Sequence, residues 1–337
     1  MAMQLPETYR KLVVTELGPD IETATAIVTV PLPAPAADEI LLRNCFAGVS
    51  ASDPVAAAGG YGAGSVPFDL GVESAGEVVA VGGAVRQFKV GAHALAFSLG
   101  GGYAEYRLVK ARDAFAIPAA TAEITSAFVA GMTAILGLEV AGEMRRDETV
   151  LITAAAGGVG AYAVQLAKLA GNRVIGTCGD EAKARWLTEL GCDRAIDYRA
   201  EDLDAVLASE YPRGVDLVFE SVGRATFDTA LRHLAIFGRL VCIGAVSEYG
   251  AGLNWERVEG VRIYQWLLAR SASVRGCYLP HYAAEIPKYM TKLVALLDAG
   301  KIHAAIDPTE FRGIDAVKAA IAHLGHGKNR GKVLLRF

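Results

Sequence analysis

The sequence has little of what many specialised chemistries require. Only five cysteines occur in 337 residues, at positions 45, 178, 192, 242 and 277. The count is odd and no pair has CxxC spacing, so neither a disulfide framework nor a cysteine-ligated zinc site is indicated. The cysteines read as small buried hydrophobes in a reducing compartment. Charge is also sparse, at 21% of residues with a net charge of −4 and both signs interspersed. No basic run offers a surface to nucleic acid or an anionic membrane. Long hydrophobic runs are missing as well. The most apolar stretch, SAFVAGMTAILGL, falls short of the ~20 residues a membrane span needs, and Glu139 follows it. The first residues, MAMQLPETYRK, lack the apolar core of a signal peptide, so a cytoplasmic location is expected. His323 and His326 are spaced as metal ligands can be, but nothing nearby completes a site.

Hydrophobic residues are plentiful, at 53%, and mean hydropathy is +0.31. That composition belongs to a packed globular chain of about two domains. The first ~125 residues read as short strands broken by glycine and proline: EILLRNCFAGVS, ESAGEVVAVG, AHALAF and YAEYRLV. Between the first two lies VAAAGGYGAGSVPFDLG, read as a mobile loop. This half is expected to be an antiparallel, partly open β-barrel.

The rhythm changes near Ala122. TAEITSAFVAGMTAILGLEVAG reads as helix, and strands then alternate with amphipathic helices. The strands are ETVLITA, NRVIGTC, DRAID, VDLVFES, RLVCIGA and SASVRGCYL. The helices between them include ATFDTALRHLAIF and one around VRIYQWLLAR. Six such strands predict a doubly wound parallel sheet ordered 3-2-1-4-5-6, an α/β unit beside the β unit. A long helix, YAAEIPKYMTKLVALLDAG, follows Pro280. The tail, with GKVLLRF, is expected to rejoin the first unit. The expected domains are 1–125 with 303–337, and 126–302.

One turn carries chemistry. Ala154-x-x-Gly157-x-x-Gly160, with Gly158 and Val159 inside it, lies between the strand VLITA and the helix VGAYAVQLAKLA. Small residues there let the backbone approach a pyrophosphate, and the helix start favours the anion. Gly160 allows helix and strand to pack closely. A dinucleotide then needs its ribose read at the end of the second strand, where NAD-selective sites place a carboxylate. Cys178 falls there instead. Lys183 in the next helix and Tyr198 after the third strand would suit a 2′-phosphate, which favours NADP over NAD. Asp180 would oppose that phosphate if it pointed inward.

At the level of whole segments, the chain resembles the medium-chain dehydrogenase/reductase superfamily in its zinc-free quinone oxidoreductase branch. The resemblance runs through NCFAGVSASDP, GVESAGEVVAVG, AGMTA, TAAAGGVGAYAVQLAK, LGCDRAIDY, GVDLVFESVG, GRLVCIGA and GKNRGKVLL. It implies a GroES-like catalytic domain, a Rossmann domain and an active site in the cleft between them. It also implies a homodimer joined through Rossmann edge strands near SASVRG. Zinc-dependent relatives carry a ligand cysteine and a His-Glu pair where Ser50 and Val72 stand here, and neither residue replaces those ligands. Glu73 is expected to support the fold.

The implied reaction is hydride transfer from NADPH to the β-carbon of an α,β-unsaturated ketone or aldehyde. The alternatives are quinone reduction on the same fold, or NADPH binding without turnover. Tyr61 on the mobile loop and Tyr249 after the fifth strand are the implied catalytic phenols, with Ser50 as a further polar contact. Around the cofactor, the resemblance implies Thr133, Ser221, Gly223, Gly244, Tyr278, Leu279 and Asn329. The small-molecule substrate itself is not identified by any of these residues.

Overall fold

A computed structural model describes residues 4–62, 64–249 and 262–337. Six parallel strands form one sheet. Their spatial order is Arg194–Asp197, Arg173–Cys178, Thr149–Ile152, Val215–Glu220, Leu234–Cys242 and Ser273–Gly276. This is the expected order 3-2-1-4-5-6. The central strands are apolar on both faces because helices cover both. Val150, Ile152, Leu217 and Phe219 pack on one side with the helices Ala122–Ile135 and Gly158–Leu169. Leu151, Val218 and Leu240 pack on the other with Val206, Leu207, Ala230 and Leu231.

The remaining strands form two β-sheets. A seven-stranded sheet runs Phe311–Arg312, Leu334–Arg336, Glu39–Gly48, Glu73–Val81, His93–Phe97 and Ala114–Ile117, with Tyr106–Lys110 also paired to Glu39–Gly48. The C-terminal strand lies antiparallel to the end of Glu39–Gly48, with Leu334 opposite Gly48. The tail therefore returns to the first part of the chain. A three-stranded sheet, Thr25–Pro31, Thr8–Val14 and Phe68–Asp69, packs beside it.

Several local expectations need correction. The stretch ATFDTALRHLAIF is helical only over Arg224–Arg232, and Leu234 already begins the fifth parallel strand. Val215 pairs with Leu234 there, so sheet hydrogen bonding overrides the helical pattern. The loop after Ser50 opens with a short helix, Asp53–Ala57, started by Pro54, and closes with the strand Phe68–Asp69. Pro287 sets the start of the long helix at Ile286 rather than near Tyr282. The helix around VRIYQWLLAR spans Ile263–Arg270; Val261 lies outside the described residues. The helical stretch Ala122–Ala141, 20 residues, meets the length and apolarity of a membrane span, contrary to the expectation from its core run. It is apolar because it is a core helix: its most apolar window is 72% buried, against Gly158–Leu169 and Ile286–Asp298.

Gly160 shows how closely helix and strand meet. A Cβ at this position would stand 2.4 Å from the Ala154 carbonyl oxygen and 2.6 Å from Ala155 Cα. Neither backbone atom can move without shifting the turn. Gly160→Ala should therefore destabilise the fold by about 1–3 kcal/mol, the usual cost of overpacking. A lowered thermal midpoint would register the loss, and an unchanged midpoint would show that the turn yields.

Candidate active site

The glycine turn is built on a conformation that alanine rarely adopts. Ala154 has φ +48°, in the left-handed region. Its N–H donates to Thr177 Oγ1 (3.1 Å), and its carbonyl accepts from Gly157 N (3.0 Å). The helix that follows starts at Gly158 with Gly157 as its N-cap, and no side chain caps it. Elsewhere, Asp180, Asp202 and Thr121 each accept a backbone N–H at a helix start. The first-turn N–H groups of Gly158, Val159 and Gly160 have no helical acceptor of their own. An anion is the natural partner for them.

The next strand ends at Cys178, which is buried, and burial pushes its thiol pKa up. The strand itself ends on this thiol rather than on a carboxylate, with Asp197 opposite it on the neighbouring strand. Tyr198 stands over the following residue, since a Cβ on Gly179 would lie 2.6 Å from the Tyr198 hydroxyl and 3.6 Å from Arg199 Nε. Arg199 is a cation that sequence reasoning missed; its adjacency to Tyr198 was the available signal. Lys183 Nζ donates to the Gly327 carbonyl at 2.5 Å. Asp180 turns its Oδ1 onto Lys183 N (2.8 Å) as a helix cap, while its Oδ2 lies 3.9 Å from Lys183 Nζ, so the carboxylate stands beside that cation.

The tail segment closes onto the same turn. Gly331 N donates to Ala156 O (2.9 Å), and Asn329 Nδ2 donates to Gly331 O (2.9 Å). Across the sheet, Glu220 organises the ESVG turn, another role not read from the sequence. Its carboxylate accepts from Val222 N (2.8 Å) and Gly223 N (3.0 Å), while burial pushes its pKa up. Ser221 N donates to Thr153 Oγ1 (2.8 Å), and Gly223, at φ +86°, starts the next helix without a side-chain cap. Gly244 lies against Tyr249, whose hydroxyl would be 3.1 Å from a Cβ there.

Three tyrosines distant in sequence meet at this edge. The Tyr61 and Tyr249 hydroxyls are 3.5 Å apart. Tyr61 stacks on Tyr278, with ring centroids 6.1 Å apart and planes 8° from parallel. Ala245 N donates to the Tyr249 hydroxyl at 3.2 Å. Burial, then the neighbouring phenol of Tyr249, pushes the Tyr61 pKa well up, so Tyr61 stays protonated at ordinary pH. Leu279 is buried immediately after Tyr278. Thr133 sits half-buried near the end of the helix Ala122–Ile135 and makes no contact with the tyrosines among the described interactions.

Ser50 belongs to a buried charged cluster. Its N–H donates to Asp53 Oδ2 (2.9 Å), and its hydroxyl lies 3.4 Å from Lys332 Nζ. Lys332 is ion-paired to Glu73 at 2.6 Å, both buried, and Glu73 Oε2 accepts from Val129 N at 3.1 Å. Tyr103 donates its hydroxyl to Asp53. Glu73 thus ties three parts of the chain together, and its partner Lys332 is a further residue that sequence reasoning missed.

A doubly wound sheet with an uncapped glycine turn, joined to a GroES-like β domain, defines a dinucleotide-dependent class of oxidoreductase. The chain belongs to the medium-chain dehydrogenase/reductase family. Residues 36–119 match the family described as alcohol dehydrogenase GroES-like domain, and residues 158–297 match zinc-binding dehydrogenase. Prostaglandin reductase-3 of Mus musculus is 41% identical over 98% of this chain and 90% of its own. A probable quinone oxidoreductase of Leishmania amazonensis is 38% identical over 99% of each. The solved structure of Escherichia coli quinone oxidoreductase complexed with NADPH superimposes with TM-score 0.86 at 29% identity, covering 97% of this chain and 100% of that one.

The matched description names zinc, but the donors present do not fit that ion. Ser50 and Val72 offer a hydroxyl and an alkyl group, and Glu73 is already neutralised by Lys332. Among the described residues no three His, Cys, Asp or Glu side chains converge.

Complete burial pushes the Asp53 carboxyl from the usual 3.8 up to about 6, despite the Tyr103 and Ser50 hydrogen bonds that oppose this. Between those two values the folded chain keeps a proton that the unfolded chain releases. Stability therefore falls as pH rises through that window, by about 3 kcal/mol. Asp53→Asn preserves both acceptor contacts and should flatten this part of the stability–pH curve. Denaturation midpoints measured from pH 4 to 7 would check it, and an unchanged slope would assign the dependence elsewhere.

Proposed function

We propose that this chain is a zinc-independent, NADPH-dependent reductase of electron-poor alkenes, acting at the β-carbon of α,β-unsaturated ketones or aldehydes. The observation that carries the reading is the meeting of the Tyr61 and Tyr249 hydroxyls at 3.5 Å, beside the turn that follows the fifth parallel strand. The similarity to prostaglandin reductase-3 and to an NADPH-bound quinone oxidoreductase supports it.

The residues fit the cofactor. Ala154, Gly157, Gly158, Val159 and Gly160 would hold the pyrophosphate through backbone N–H groups. Lys183 and Tyr198, beside Cys178, would read the 2′-phosphate, with Arg199 adding a second cation. Thr133, Ser221, Gly223, Gly244, Tyr278, Leu279 and Asn329 would border the rest of the dinucleotide. Bound NADPH supplies the hydride. The chain's own task is to orient the acceptor and meet the charge that develops on its carbonyl oxygen. A Tyr249 hydroxyl directed at that oxygen would stabilise it by about 2–4 kcal/mol. Tyr61 adds a second hydroxyl beside it; burial makes this phenol a weaker acid than a free tyrosine, so the proton for the α-carbon comes from Tyr61 or from water. Ser50, beside Lys332, adds a polar contact.

Residues 1–125 with 303–337 would form the catalytic domain and 126–302 the cofactor domain. The chain would pair with a second copy along Ser273–Gly276, the last strand of the sheet, with Tyr264 and Leu268 exposed on the preceding helix Ile263–Arg270. Quinone reduction is the second reading, supported by the Leishmania and E. coli relatives.

Four measurements test these statements. NADPH consumption with enones and quinones in parallel should show turnover without added metal, and background rates with every acceptor would refute the reading. Lys183→Ala should raise the KM for NADPH at least tenfold more than that for NADH; equal changes would remove Lys183 from the phosphate site. Tyr249→Phe should lower kcat by about 10²-fold with little change in NADPH affinity, and unaltered kcat would make Tyr249 structural. Sedimentation should return twice the chain mass of 35.4 kDa.

A further inference from the structure

A cavity of about 400 Å³ lies in the β domain. Tyr9 and Lys11 line it from one sheet, Tyr106 and Arg107 from the other, with Leu70 and Ser98 between them. Its volume suits a small organic ligand.

The charges around it do not balance. Arg107 is 2% exposed, yet its guanidinium meets only neutral oxygens. Nη1 donates to Ser74 Oγ (3.1 Å) and the Ala96 carbonyl (3.4 Å). Nη2 donates to the Ser98 carbonyl (2.9 Å) and Oγ (2.8 Å). Its Nε donates to no group among the described residues. The carboxylates whose fields reach it are Asp69 and Glu73. Each has its own lysine: Lys11 at 2.7 Å from Asp69, and Lys332 at 2.6 Å from Glu73. Burial lowers the Arg107 pKa to about 10, which leaves it cationic at neutral pH. A buried cation without a counterion is costly, and a bound anion removes the cost. Lys11, Arg107 and Asp69 together leave one positive charge, which a monoanion neutralises. Tyr9, Tyr106, Phe68, Leu70, Leu99 and Leu108 add an aromatic and aliphatic wall for an organic body, beside glycine backbone and Ser98.

We propose that this cavity binds an organic monocarboxylate, with the carboxylate toward Arg107 and Lys11 and the hydrocarbon or aromatic portion against Tyr9, Tyr106 and Leu70. Gly62 from the Tyr61 loop and Val72 beside Glu73 also border the space. The carboxylate is therefore either the tail of the reduced substrate, which rests on the function proposed above, or a separate ligand felt through that loop.

Calorimetric titration of the full chain, without cofactor, with octanoate and with octan-1-ol tests the site independently of turnover. Octanoate should bind at least tenfold more tightly than the alcohol. Arg107→Met and Lys11→Met should each weaken octanoate at least tenfold. Lys11 is the partly exposed partner, so its variant keeps the test valid if Arg107→Met does not fold. Equal affinity for acid and alcohol, or unchanged octanoate affinity in Lys11→Met, would overturn the proposal. With an active preparation, octanoate competing with the enone identifies a substrate-tail site, and non-competitive action identifies a separate ligand; either follows from the proposal. An absence of enone turnover would count against the proposed function alone, because the binding result stands without it.

Discussion

The contact between residues 327–332 and the glycine turn is the constraint on which the two halves of this molecule depend. Gly331 donates to Ala156, Lys183 reaches the Gly327 carbonyl, and the Lys332 stem lies against Gly158. Two residues after Lys332 the chain enters the seven-stranded sheet. One short segment therefore joins the glycine turn to the β domain. A side chain at Gly158 would meet Lys332 at 3.1–3.3 Å, so the small residue serves this junction.

The buried charges follow the same logic. Glu73 and Lys332 compensate each other across the junction, and Glu73 also accepts a backbone N–H from Val129 of a Rossmann helix. Glu220 spends its carboxylate on the N–H groups of Val222 and Gly223, which shapes the turn without a neighbouring cation. Among the described residues Asp53 has Tyr103 and the Ser50 N–H as its donors, too little to offset complete burial, so its pKa is pushed up. Buried carboxylates here define backbone geometry at the places where chain segments meet.

Much of the fold was legible because its signals are local. The alternation of strand and helix after Ala122, with apolar strands such as VLIT and VDLVFE, specifies a parallel sheet, and its strand order is the expected one. The glycine turn was readable because its small residues lie between a strand and a helix. The segment ATFDTALRHLAIF misled because its first part is amphipathic, while its end is claimed by pairing with Val215. The strands Thr8–Val14 and Thr25–Pro31 escaped notice because nothing in their spacing reveals their pairing with each other.

The site divides in a similar way. Lys183 and Tyr198 could be named from their distance beyond the turn, and Arg199 from its place next to Tyr198, whereas Lys332 could not, since its partner Glu73 lies far away in the chain. The sequence by itself determined the doubly wound sheet and the glycine-rich turn between its first strand and helix, because each depends on residue type and short-range spacing. Only the tertiary structure decided that Tyr61, Tyr249 and Tyr278 meet, that Lys332 neutralises Glu73 and that Arg107 is buried without a carboxylate of its own. Those are pairings across long loops, and side-chain packing and the cost of burying charge select them, not local propensity.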